Sequence, residues 1–137
     1  MTKQYWINLP VKDLSKSRAF FETLGFSFHM QHASREQMPL VIGDHNPPIM
    51  LFLESTFRNF TAHTIVDTKL ATEVLISIDA ESKEEVDEMA KKVESAGGTL
   101  LSEPAEQQGW MYGCAFADLD GHRWNVLYMD INKIAKE

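Results

Sequence analysis

Near its C-terminal end the chain reads DLDGHRWN, Asp118 to Asn125, where two aspartates, a glycine and a histidine run directly into tryptophan and asparagine. Carboxylate and imidazole groups so close together could hold a cation or carry a proton. Asp118, Asp120 and Gly121 match the opening of a calcium loop. That loop needs an oxygen ligand at its fifth position and a glutamate at its twelfth, and those places hold His122 and Met129. Calcium is therefore excluded by pattern. A tight turn alone accounts for the residue types, because Asp caps its own backbone and Gly accepts positive φ. The turn then matters indirectly, by setting the register of the strand that carries Asn125.

Elsewhere the chemistry-bearing residues are scattered. His29, His32, His45 and His63 share no ligand spacing and read as surface residues. Cys114, the only cysteine, sits in an apolar stretch without a basic neighbour and reads as packing rather than as a nucleophile. Glu73 opens an apolar stretch, which leaves two readings. It is a solvated strand end, or it is a cavity carboxylate whose pKa apolar surroundings with Trp6 would raise toward that of a general base. Trp6 reads either as core or as an aromatic platform, and Asn8, on the same face by strand alternation, could orient a ligand. In QQGWMYG, Trp110, Met111 and Tyr112 make either a packed strand edge or a lip over a pocket, with Tyr112 as a donor.

The elements that position these residues form a repeat. YWINLPVKD alternates toward Asp13, a helix N-cap, after which Leu14, Phe20, Phe21 and Leu24 recur at helical spacing until Gly25. FSFHMQHAS, MPLVIGD and PPIMLFLES read as three strands, with Gly43, Asp44, Asn46, Pro47 and Pro48 as turn residues. TEVLISIDA is the next strand, and Ser82 with Glu85 forms a capping box ahead of Val86, Met89, Ala90 and Val93. The acidic run DAESKEEVDEM places its negative charge at that helix's N-terminus, where the dipole favours it. GTLLSEP, GWMYGCAFAD and HRWNVLYMD complete a second β-α-β-β-β unit. The expected fold is α+β: two βαβββ units (1–59 and 71–131, linked by 60–70) in one domain, their mixed sheet curled into a half-barrel with helices outside. A concave face of that kind is a natural small-molecule site.

Composition agrees. At 137 residues the chain is long enough for a single core, and 44% hydrophobic with 24% charged residues is ordinary for a globular protein. A net charge of −7 disfavours nucleic acid, and no apolar run approaches the ~18 residues that span a bilayer. MTKQYWINLP has no basic-then-apolar signal pattern, and a lone cysteine fits a reducing cytoplasm.

Three stretches carry a family resemblance: INLPVKDLSKSRAFFETLGF, the long segment from Ser55 to Gly98, and GWMYGCAFADLDGHRWNVLYMD. Together they resemble the vicinal oxygen chelate superfamily of glyoxalases, bleomycin-resistance proteins and extradiol dioxygenases, and most of all its bacterial predicted lactoylglutathione lyases. The resemblance implies a homodimer and a divalent metal (nickel, zinc, manganese or iron) held by four side chains, one from the first and last strand of each unit. By register these positions fall on Trp6, on Met50 or Leu51 with Glu54 the nearest carboxylate, on Glu73 and on Asn125. Tryptophan, methionine and leucine offer such a metal no hard oxygen or imidazole, and Asn125 offers only a neutral carbonyl where the family carries a carboxylate. Glu73 and Glu54 are weak metal candidates, and no cofactor is expected from the residues themselves.

Two functions follow. One is a glyoxalase-like lyase or isomerase with Glu73 as base, assisted by Asn125 and Glu54. The other is a non-catalytic drug or metabolite binder with Trp6, Phe52 and Tyr112 as aromatic walls. A ring-cleaving iron dioxygenase lacks its histidines and glutamate at these positions.

Overall fold

The structure is a computed structural model that describes residues 1–44 and 47–134. His45 and Asn46, expected as a surface histidine and a turn residue, lie outside the described residues. The chain divides into two compact units, Met1–Asp67 and Thr68–Glu137. Each is a βαβββ unit with its own four-stranded mixed sheet, and neither sheet closes on itself.

In the first unit β1 (Ile7–Val11) leads into α1 (Leu14–Thr23), followed by β2 (Ser27–Phe28), β3 (Gln37–Val41) and β4 (Ile49–Leu53), in the order β1-β4-β3-β2. Asp13 caps α1 by accepting from Lys16 N–H at 3.0 Å. Phe20, Phe21 and Leu24 are buried together with Leu9, Val11, Leu40 and Leu51 of the sheet. Each such fully buried side chain contributes roughly 1.5–3 kcal/mol by leaving water. Gly25 ends the helix at φ +102°, a left-handed conformation that a side chain would resist.

Two expectations change here. FSFHMQHAS forms only the two-residue β2 and one 3₁₀ turn, Met30–His32, because its polar residues provide no buried face for a longer strand. PPIMLFLES turns helical at Glu54, where α2 (Glu54–Thr61) begins. An acidic residue in the first turn suits the helix dipole, and Phe60 of α2 packs edge-to-face on Phe52, ring centroids 5.3 Å apart.

The second unit repeats the plan: β5 (Leu75–Asp79), α3 (Lys83–Ser95), β6 (Thr99–Gln107), β7 (Met111–Ala117) and β8 (Arg123–Met129), ordered β5-β8-β7-β6, with a short α4 (Ile131–Ile134) behind β8. The capping box is present: Ser82 Oγ accepts from Glu85 N–H at 3.1 Å, and the Glu85 carboxylate accepts from Glu81 N–H at 2.9 Å. α3 packs across β6, β7 and β8, burying Val86, Met89, Ala90 and Val93 with Cys114, Phe116, Trp124 and Val126. Phe116 and Trp124 lie on one rung with their rings stacked, centroids 5.9 Å apart. β6 runs past the expected GTLLSEP because Pro104, which lacks an N–H, falls at a register shift on an edge strand.

Candidate functional site

The opening motif resolves into a structural anchor. The buried Asp118 carboxylate accepts from the N–H groups of Asp120 and His122, both at 3.0 Å, and from the Trp124 indole N–H at 3.1 Å. Burial pushes its pKa up, against the pull of the nearby His122 and of these donors. Gly121 stands at φ +83°, and Thr68 Oγ1, which donates to the Asp120 carbonyl at 2.7 Å, occupies the space a side chain there would need. All of Asp118's visible capacity is spent inside the turn, so the turn sets β8's register.

That register decides which residues share a face. Trp124, Val126, Cys114 and Phe116 point toward α3, so alternation turns Arg123, Asn125 and Leu127 to the opposite face. There Asn125 has Ser77 of β5 on one side and Ala115 of β7 on the other. β7 offers this face Met111 and then the small Gly113, Ala115 and Ala117, with Ala115 directly beside Asn125. A Cβ at Gly113 would lie 2.6 Å from the Val126 carbonyl oxygen and 2.7 Å from Leu127 Cδ2, so the backbone approach there admits nothing larger. Asn125 is half-buried and Ser77 exposed. Together they are a neutral pair of hydrogen-bonding groups, with Leu75 and Arg123 on the same-face rung before and Asp79 and Leu127 on the one after.

The other candidate residues fall elsewhere. Glu73 is exposed and lies two residues before β5, and the rung of Asn125 belongs to Ser77 instead. Trp6 precedes β1 and is 56% exposed. Asn8 is exposed on β1, paired with Met50. Phe52 is buried beneath Phe60, so within its unit it is a covered side chain rather than an open wall. Glu54 sits in the first turn of α2 rather than on a strand. Tyr112 turns toward α3, where its hydroxyl donates to Asp87 Oδ1 at 2.7 Å and Lys83 Nζ stands 5.5 Å from the ring centroid. The hydrogen bond to Asp87 holds the phenol's pKa above its usual value. Lys83 also pairs with Glu106 at 2.6 Å. Tyr112 borders a groove of about 350 Å³ on that side, between α3 and β6. His29, His32 and His63 are exposed, as expected of surface residues. Cys114 is buried, and burial pushes its thiol up to about 11, which keeps it protonated and unreactive at neutral pH.

The donor chemistry does not fit the metal that the fold's relatives suggest. The paired first-and-last-strand rungs carry Asn8 with Met50 and Ser77 with Asn125: two amides, a hydroxyl and a thioether. Among the described residues no three His, Cys, Asp or Glu side chains group so as to hold a metal ion. Sequence reasoning missed Ser77 and Arg123; strand parity with Asn125 marks Arg123, whereas Ser77 follows only from the register of β5 on β8.

The model of the Glyoxalase/Bleomycin resistance protein/Dioxygenase superfamily matches residues 3–126, and the chain belongs to that superfamily. A hypothetical protein of S. aureus, SA1046, is similar at 35% identity and a TM-score of 0.85, over 93% of this chain and 95% of that one. A family enzyme from Burkholderia phytofirmans PsJN has a TM-score of 0.77 at 19% identity, over 90% and 96% of the two chains. A bleomycin resistance determinant encoded on the transposon Tn5 has a TM-score of 0.63 at 23% identity, over 95% and 100%. No curated protein matches the sequence. Among the described residues no helix is long and apolar enough to cross a membrane.

Proposed function

We propose that the protein binds a small organic molecule on the face of the second sheet that points away from α3, and that it does so without a metal. The observation that carries this reading is the Ser77–Asn125 rung beside Ala115: two neutral groups that donate and accept hydrogen bonds, exposed and half-buried, next to a side chain too small to cover them. A bleomycin resistance determinant stands among the chains of similar fold, and we take a small organic molecule as the ligand class by analogy with it. The lyase reading has less support. A general base must reach the proton it removes, and Glu73 precedes the Asn125 rung by four residues, roughly 13 Å of extended strand.

The proposal includes a homodimer, supported by the exposed Val74, Leu75 and Met129 of the second unit, apolar surface that a second copy would cover. Light scattering should then give twice the 15.6 kDa chain mass. A cytoplasmic setting is supported by the single cysteine, whose thiol is buried.

The test is a thermal-shift screen of small aromatic and carboxylic compounds with turnover assayed in parallel. A true ligand should stabilise the fold by about 2.7 kcal/mol at a hundred times its Kd, and Asn125→Leu should abolish the effect. Turnover of the hemithioacetal of methylglyoxal, lost in Glu73→Gln, would overturn the binder reading in favour of the lyase.

A further inference from the structure

We infer that Arg123 is the anion-recognising residue of this site and that the ligand is a small organic carboxylate; the inference rests on the proposed site and names its ligand class. Arg123 is the first residue of β8 and shares a face with Asn125, two residues further on. Its rung neighbours are Leu75 and Ala117, both apolar. Its Nε is buried and has no hydrogen-bond partner. The other arginine nitrogen so buried, Nε of Arg18, is 3.3 Å from Glu22 Oε1 and is charge-compensated.

The chain carries twenty acidic residues against thirteen basic ones, so a carboxylate partner would be easy to supply. Arg18 pairs with Glu22 and Lys83 with Glu106, and neither pair involves Arg123. Glu73, upstream of Leu75 with the same parity, is exposed and does not pair with it. Asp118, five residues before, is already satisfied by three N–H donors around Trp124. A guanidinium whose Nε–H is taken from water without an acceptor, and which has no ion pair, is unfavourable; an incoming carboxylate would compensate its charge at the terminal N–H groups, which are not among the buried, unpartnered atoms.

The site's composition selects a carboxylate among anions. One guanidinium balances one negative charge, Asn125 and Ser77 are neutral, and Asp79 one rung beyond them is itself a carboxylate, so a phosphate dianion would bring uncompensated charge into a chain of net charge −7. With the carboxylate on Arg123, the next polar group of the ligand meets the Asn125 amide along the strand, and its apolar body lies over Ala115 and Gly113.

The experiment titrates the full-length protein with benzoate and with benzamide, following the Arg123 Nε–H resonance and the Asn125 side-chain amide by NMR. Benzoate should shift both saturably and bind about tenfold or more tightly than benzamide, since the two differ by one charge-assisted contact. Arg123→Met, which keeps an unbranched apolar stem between Leu75 and Ala117, should erase that preference while far-ultraviolet circular dichroism stays unchanged. Equal binding of the two probes, lost in Asn125→Leu, would overturn the carboxylate inference and leave the binding site standing. Benzoate binding at Arg123 unaffected by Asn125→Leu would keep the anion contact and overturn the proposed site. No saturable shift at Arg123 overturns the inference outright.

Discussion

Replacing Asp118 by alanine removes one acceptor group from three donors at once. The Trp124 indole N–H lies in a side chain with no exposed surface, and leaving it unpaired costs about 1–3 kcal/mol. The Asp120 and His122 N–H groups belong to a half-buried turn that water partly reaches, so together they add about 1 kcal/mol. Relief from burying a carboxylate offsets part of this, which leaves a net loss of about 2–3 kcal/mol. For a chain of this length that corresponds to a fall in Tm of roughly 6–12 °C. Urea titration followed by tryptophan fluorescence reads it directly. Asp118→Asn keeps one oxygen for the two turn N–H groups but presents an amide to the indole, so it should fall between alanine and wild type. Because burial raises the Asp118 pKa, the folded state holds the proton more tightly than the unfolded chain. Its contribution is fully present below the ordinary value of 3.8 and is lost as pH rises through the higher folded value. The wild type's margin over Asp118→Asn should therefore be wider below 3.8 than at neutral pH. A loss under about 0.5 kcal/mol for Asp118→Ala would refute the claim that this carboxylate anchors the turn.

Three further outcomes follow from single residues. Gly121→Ala should cost about 2–3 kcal/mol, since it combines left-handed strain at φ +83° with displacement of the Thr68 hydroxyl; unchanged urea melts would contradict this. Gly113→Ala should cost about 1–3 kcal/mol through its collision with the Val126 carbonyl and Leu127, read by the same urea melts. Cys114, with its thiol near 11, should react with a thiol reagent at neutral pH at least a hundredfold more slowly in the folded chain than after denaturation; comparable rates would show that it is not buried as described.

Much of the fold was legible because its signals are local. Asp13 and Ser82 announce their helices within four residues of sequence, and the apolar spacing after each names the buried face. PPIMLFLES misled because IMLFL is apolar throughout and shows no end. The boundary at Glu54 comes from Phe60 folding back on Phe52, a tertiary contact with no mark at position 54 itself. The sequence leaves Tyr112 open between a packed strand edge and a lip for a related reason. Its neighbours Gly113 and Trp110 suggested a lip, whereas strand parity with Cys114 and Phe116 sends the ring toward α3 and Asp87.

The site itself was harder to read because it depends on the register between two parallel strands whose paired residues, Ser77 and Asn125, are separated in sequence by α3, β6 and β7. Nothing near Asn125 names its partner. Measuring back from strand starts aligns Trp6 with Glu73 and brings a carboxylate toward Asn125. Measuring back from the helix caps aligns Asn8 with Ser77, each five residues before its cap, and the pairing of the two sheets agrees with the second alignment. The caps are the better ruler, because a cap is fixed by its own hydrogen bond whereas a strand's first residue frays. On that ruler the duplicated rungs read Asn8 with Met50 and Ser77 with Asn125, and neither copy places a carboxylate or imidazole where a metal or a proton would need one. What the second rung offers instead is hydrogen bonding, with Arg123 two residues away along β8 and the exposed Asp79 two residues away along β5 as the charges flanking it on the same face. A site built from those groups can select a ligand by shape and by charge.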